Sequence, residues 1–238
     1  MYSVKPFIIQ FMVGKSNKNA KRKRISRQAD PIQEAIDYGI DVSALAGNLQ
    51  RSVTERVRRH QIALNTVKKL RKEKTTSTED FDNLFERLVD NGVDFVVVGD
   101  FAGVVYGCTY VNQGIEICCD FSAANLLAMQ EALSDLDPVH RMTPKRQKLK
   151  LTRETCTHFK NLYLDTRQGQ LDCLSFIDGL GDFRQAKEES ELIEIEDTKV
   201  RVLSLDALIK TKRAMNRPRD KLVIAQLEGV RRLREEKS

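Results

Sequence analysis

From residue 93 to 126 the chain reads VDFVVVGDFAGVVYGCTYVNQGIEICCDFSAANL, and the period of its apolar positions changes twice. A compact, β-branched run from Phe95 to Val98 ends at Gly99, which predicts a buried strand followed by a sharp turn. The apolar segment Phe101 to Tyr106, closed by Gly107, predicts a short helix packed on that strand. Ile115, Ile117 and Cys119 then alternate with Glu116, Cys118 and Asp120, the period-two pattern of a strand with one buried face. This puts Glu116, Cys118 and Asp120 on a shared face, with Gly99 and Asp100 at the turn leaving the preceding strand. Such carboxylates beside a glycine turn suit magnesium and phosphate, because hard oxygen ligands hold the cation and bare backbone holds the anion.

Upstream, residues 30–74 read as helical. Ser52 and Glu55 have the spacing of a capping box, and Val57, His60, Leu64, Val67 and Arg71 form one stripe behind it. His60 on that stripe reads as a packed histidine. Arg56, Arg58, Arg59, Lys68 and Lys69 read as a solvated face, with RNA contact as the competing reading. A linker at 74–77 leads to a second helix with Phe81, Leu84, Phe85 and Leu88 on one face and Gly92 as its stop.

Downstream, residues 123–136 read as a helix, and the segment 140–153 is strongly basic, serving either solvation or the holding of phosphate or an acidic acceptor. Residues 161–177 predict a hairpin turning at Arg167-Gln168-Gly169. Asp172 lies inside its apolar second arm, where a carboxylate is costly unless paired or bound to a cation, so it is a candidate site residue. A second hairpin is expected around Asp197-Thr198. Ser204 then caps a helix carrying Leu205, Leu208, Ile209 and Lys212; Arg217-Pro218-Arg219-Asp220 breaks it, and residues 222–235 form the last helix.

Composition narrows the class. With 238 residues, 41% hydrophobic, the chain can bury one sizeable core. No run approaches the roughly 20 apolar residues of a membrane span, and no signal-peptide pattern is read at the N-terminus. The five cysteines sit mostly in apolar strand patterns, as small hydrophobes do in a reducing cytoplasm, which is the expected location. The net charge of +6 favours an anionic partner. Residues 1–29, with the run Lys21-Arg22-Lys23-Arg24, read as a disordered basic tail or as a nucleic-acid arm.

The succession of strand, Gly99 turn, short helix, Gly107, acidic strand and Asn125-Leu126 helix, followed by LDCLSFIDGLGDF and LSLDALIKTKRAMNRPRD, resembles the nucleotidyltransferase superfamily of DNA polymerase β type. It looks closest to the bacterial branch of small proteins similar to abortive-infection AbiEii-type toxins, over roughly residues 81–233. The resemblance implies an α+β fold, a nucleotidyltransferase-like mixed sheet flanked by helices. It divides the chain into the tail, a helical leader at 30–76 and a nucleotidyltransferase-like domain at 77–238. It also implies transfer of a nucleoside monophosphate from a nucleoside triphosphate to a hydroxyl of RNA or protein, with Mg2+. Two aspartates at i, i+2 and a third on a neighbouring strand hold two metals in that family.

By position, Gly99 and Asp100 match the turn that holds the triphosphate, and Lys212, Arg217 and Asp220 match a C-terminal basic element. Glu116 and Asp172 match the second and third carboxylates and become the catalytic and metal-binding candidates. Gly114 stands where the first aspartate belongs and has no side chain to offer. The alternative is therefore an inactive homologue that binds RNA, a nucleotide or a protein.

Overall fold

The structure is a computed structural model that describes residues 30–71 and 81–236. The basic tail, the linker at 74–77 and the boundary placed at 76/77 lie outside the described residues. Cap residues set most helix starts. Asp30, Asp41 and Ser52 accept backbone N–H groups at the heads of α1 (Pro31–Asp37), α2 (Val42–Leu49) and α3 (Val53–Leu70). The expected helical stretch is thus three helices. In α3, Val57, His60 and Leu64 are buried, as the stripe requires. Helix α4 (Phe81–Asp90) buries Phe81, Leu84, Phe85 and Leu88, and Gly92, at φ 68°, ends it.

The chain then enters β1 (Phe95–Val98), α5 (Gly99–Tyr106), β2 (Gly114–Cys119) and α6 (Ala123–Ala132). Gly107, left-handed at φ 117°, closes α5 as predicted. The helix expected over 123–136 stops at Ala132 and gives way to a single tight turn over Ser134–Leu136. Next come β3 (Val139–His140), α7 (Arg153–Cys156), β4 (Asn161–Thr166) and β5 (Gly169–Leu174), the last two joined across Arg167 and Gln168. A small hairpin follows, β6 (Phe176–Ile177) and β7 (Gly181–Asp182), with α8 (Phe183–Glu188) and the second expected hairpin, β8 (Ser190–Ile195) and β9 (Thr198–Leu203). Ser204 Oγ caps α9 (Leu205–Met215). The helix break lies at Asn216, in a left-handed conformation, and Pro218 opens α10 (Pro218–Glu235), so Arg219 and Asp220 belong to the last helix and not to a linker before it.

Seven strands form one mixed sheet in the order β3-β4-β5-β2-β1-β9-β8, so the protein is α+β with helices flanking a mixed sheet. β1 runs antiparallel to β2, β2 parallel to β5, and β1 parallel to β9. Helices α1 and α2 pack on α10, and α3 packs on α5, which brings Ala35, Leu45, Val57 and Leu64 into the same core as the sheet. His60 is 5% exposed, between the rings of Phe81 and Phe101, and its Nε2 accepts the Asn112 N–H at 3.1 Å. It is a packed histidine, as its place on the stripe predicts. All five cysteines are free and buried. No helix among the described residues is long and apolar enough to cross a membrane.

One expectation about β2 fails. The strand ends at Cys119, so Asp120 lies beyond it, where its carboxylate accepts the Ser122 N–H and its carbonyl accepts from Asn125. Cys118 is fully buried. The wet face inferred from alternation reduces to Glu116, because the centre of a seven-stranded sheet is covered on both sides.

Candidate functional site

The geometry begins where β1 turns into α5. Val98 is extended, and Gly99 takes φ 66°, a conformation that other residues adopt only with strain. A Cβ on Gly99 would land on Glu116 Oε2, so the glycine is also required by close approach. That Glu116 oxygen accepts the Asp100 N–H at 3.3 Å, which puts the carboxylate at the positive end of α5.

Glu116 and Asp172 are register partners on the adjacent parallel strands β2 and β5. Two carboxylates 56 positions apart in the chain are therefore side by side. Burial raises the Glu116 carboxyl above its ordinary value; Lys212 opposes this, and Asp100 and Asp172 add to it. Burial also raises Asp172, while Arg141, whose Nη2 lies 2.6 Å from Asp172 Oδ1, pulls the other way. Arg141 further approaches Asp165 at 3.6 Å and covers the Tyr163 ring, and Tyr163 is the β4 partner of Asp172. The basic segment at 140–153 thus places one arginine at the site, engaged with the acid.

Asp100 is 5% exposed and pairs with Lys212 Nζ at 2.5 Å and with Arg219. Lys212 also lies 3.9 Å from Asp220 and is itself buried. The turn acid is therefore neutralised from behind, and the lysine expected at the nucleotide spends its charge there. Arg219 reaches the same carboxylate with its side chain 70% exposed. Arg217 is exposed at the head of α10, where its N–H donates to Asp220 Oδ2 at 3.0 Å. Tyr110 donates its hydroxyl to the Asp100 carbonyl at 3.0 Å.

Two cavities meet at Glu116, Asp172 and Arg219. One, of about 510 Å3, is bordered by Gly99, Lys160, Tyr163, Phe176 and Arg217; the other, of about 540 Å3, by Tyr110, Asn112, Gln170 and Leu222. Gly99, Glu116, Asp172, Lys212 and Arg217 all border the first, and Asp100 borders the second. Arg219 stood out in the sequence only as a helix breaker. Lys160, Tyr163 and Phe176 carry no local signal that marks them.

The donor set does not fit the two-metal centre that the resemblance implies. Gly114 offers no ligand, Glu116 already accepts an amide, and Asp172 is held by Arg141. Among the described residues no group of three or more His, Cys, Asp or Glu side chains is placed to hold a metal ion. Gly114 is moreover sealed: a Cβ there would stand 2.6 Å from Gln170 Cβ and 2.7 Å from the Gln170 carbonyl oxygen. Gly114→Asp is thus expected to destabilise the fold by about 1–3 kcal/mol through overpacking and to gain no magnesium response. Urea midpoints with and without magnesium measure both, and a variant of parental stability with a new magnesium-dependent shift would show that the β2–β5 register yields. A scan of the sequence against protein-family models and a search of curated proteins each give no match.

Proposed function

We infer that the chain is a nucleotidyltransferase-like protein that has become a nucleotide-binding module, taking a nucleoside triphosphate in the cleft of about 510 Å3 in front of Gly99. The observation that carries this reading is the pairing of Glu116 with Asp172 beside a glycine turn, next to a sealed Gly114. On this reading the cleft serves as a nucleotide site that lacks the first of the three acids that two metals need, because Gly114 stands in its place. Exposed Lys160, Arg217 and Arg219 supply cations for phosphate, and Tyr163 with the exposed Phe176 supplies rings for a base.

A second reading is favoured by the same register pair. Magnesium is commonly held by one or two carboxylates together with substrate phosphates. Glu116 and Asp172 fit that single shared ion, which would supply charge neutralisation at the phosphates during slow transfer to an RNA or protein hydroxyl. In that case Arg141 must release Asp172.

A thermal-shift titration with each of the four nucleoside triphosphates, with and without magnesium, separates the readings. Ligand at about 100 times its Kd adds about 2.7 kcal/mol to the folded state. The binding module gives a shift of several degrees that persists without magnesium. A shift that needs magnesium and disappears in Glu116→Gln, Asp172→Asn selects the single-ion enzyme, and labelled-transfer assays follow. If no triphosphate moves the midpoint, both readings fall.

A further inference from the structure

A further cavity, of about 550 Å3, lies among α2, α3, α5 and the segment that follows α5. Arg51, Arg56 and Arg59 line it, and no aspartate or glutamate does. Its histidine, His60, is neutral at pH 7, because burial pushes the imidazole down to about 4. The three guanidinium charges therefore stand without a formal negative charge in the lining.

Each arginine is placed differently. Arg56 is half-buried, and its Nε and Nη1 donate to the carbonyls of Asn48 at 2.9 Å and Val105 at 2.7 Å, in the last turns of α2 and α5. Those carbonyls are the negative ends of two helices, so the charge is fixed in place with no carboxylate to cancel it. Arg51 is steadied by Asn48 Oδ1 at 2.9 Å through a single nitrogen, leaving further N–H groups to donate. Arg59 is exposed and joins no ion pair among the described residues.

Beside these cations stand apolar surfaces. Ile62 is 57% exposed and Val111 43% exposed, while Tyr110 lines the wall as a partly buried ring packed against the core. Tyr110 and Val111 also line the cavity of about 540 Å3 that ends at Glu116 and Asp172, so the two spaces share a wall. A track of arginines flanked by exposed apolar faces suits a single strand, with phosphates on the cations and unpaired bases against the apolar faces.

We propose that this groove binds the phosphate backbone of single-stranded nucleic acid. The assignment goes beyond the nucleotide reading of the cleft and stands without it.

The test is fluorescence anisotropy of the full-length chain with a labelled single strand, as RNA and as DNA, between about 50 and 200 mM salt. The chain carries Lys21, Arg22, Lys23 and Arg24 replaced by alanine, so that this run does not mask the groove. In that background Arg51→Ala with Arg59→Ala is expected to weaken binding about tenfold near 150 mM salt and to make the salt slope shallower by between about one and two. Arg58→Ala, on an exposed arginine outside the cavity, is expected to stay within about twofold.

Stronger binding of RNA than of DNA would make the 2′-hydroxyl part of the recognition and supports the proposal, as equal binding does. It is overturned by unchanged affinity and slope in the double variant, by an equal loss in Arg58→Ala, or by displacement of the strand with poly-glutamate at equal charge, which would mark an acidic-protein surface. Neither Arg51 nor Arg59 lines the nucleotide cleft, so failure here leaves the nucleotide titration standing, and failure there leaves this result standing.

Discussion

Lys212→Met is expected to lower the stability of the protein by about 3–5 kcal/mol, the cost of stranding a buried charge. Lys212 and Asp100 are each about 5% exposed and 2.5 Å apart, and Asp220, also buried, lies 3.9 Å from the same ammonium. Methionine keeps the unbranched apolar stem and removes the ammonium with its charge. Asp100 then retains Arg219, whose side chain is largely in water and screened, while Asp220 loses its cation. For a chain of this size each kcal/mol moves the midpoint by roughly 2–4 °C, so the melting temperature should fall by about 10 °C. Adding Asp100→Asn should recover part of the loss, because the cluster then holds one buried carboxylate instead of two, while Arg219 turns to solvent. A calorimetric midpoint within about 2 °C of the parent for Lys212→Met would mean that this cluster does not organise the fold.

The second large effect is an acid step from His60. Burial holds the imidazole at about 4, against an ordinary value near 6.5. Between those values the unfolded chain binds a proton at this position and the folded chain does not, so stability falls as pH falls through the window. The loss reaches about 3 kcal/mol near pH 4. Above pH 6.5 both states are neutral and the contribution vanishes. Glu116 and Asp172 act in the opposite sense, since carboxyls raised by burial bind protons more readily in the folded chain. His60→Gln keeps an acceptor for the Asn112 N–H and removes the titration. Urea midpoints at pH 7 and pH 4.5 should therefore separate the variants, the parent losing about 2–3 kcal/mol more than His60→Gln on acidification. Equal losses would place the acid sensitivity elsewhere.

Much of the fold was legible because its signals are local. The β-branched run ending at Gly99, the two hairpins, and the caps at Ser52 and Ser204 rest on periodicity or on a side chain that reaches two or three residues away. The cost of burying Asp172 was legible for a related reason, since one charge inside an apolar alternation needs no knowledge of the partner. Its partner was not legible. Arg141 was one of several cations in a basic segment, and only the β3–β4–β5 order brings it to the acid. The Asp100–Lys212 pair spans 112 positions, so neither period nor spacing showed that Asp100, which the resemblance set at the triphosphate turn, is neutralised from behind. Asp120 was misplaced because alternation alone does not say where a strand stops. The pairing of Glu116 with Asp172 and the sealing of Gly114 by Gln170 both follow from the β2–β5 register, which no single strand carries.

The sheet order also bears on how the chain assembles. The hairpins β4–β5 and β8–β9 close within residues 161–174 and 190–203 and carry little loop entropy. The β2–β5 and β1–β9 pairings join them across long separations, Glu116 to Asp172 and Val97 to Val202. The β1–β2 centre, which holds the Gly99 turn and Glu116, is thus tied to each margin by a parallel pairing of high loop-closure cost. The candidate site therefore exists only where β2 and β5 have docked, and its two carboxylates depend on a long-range pairing rather than on any local turn.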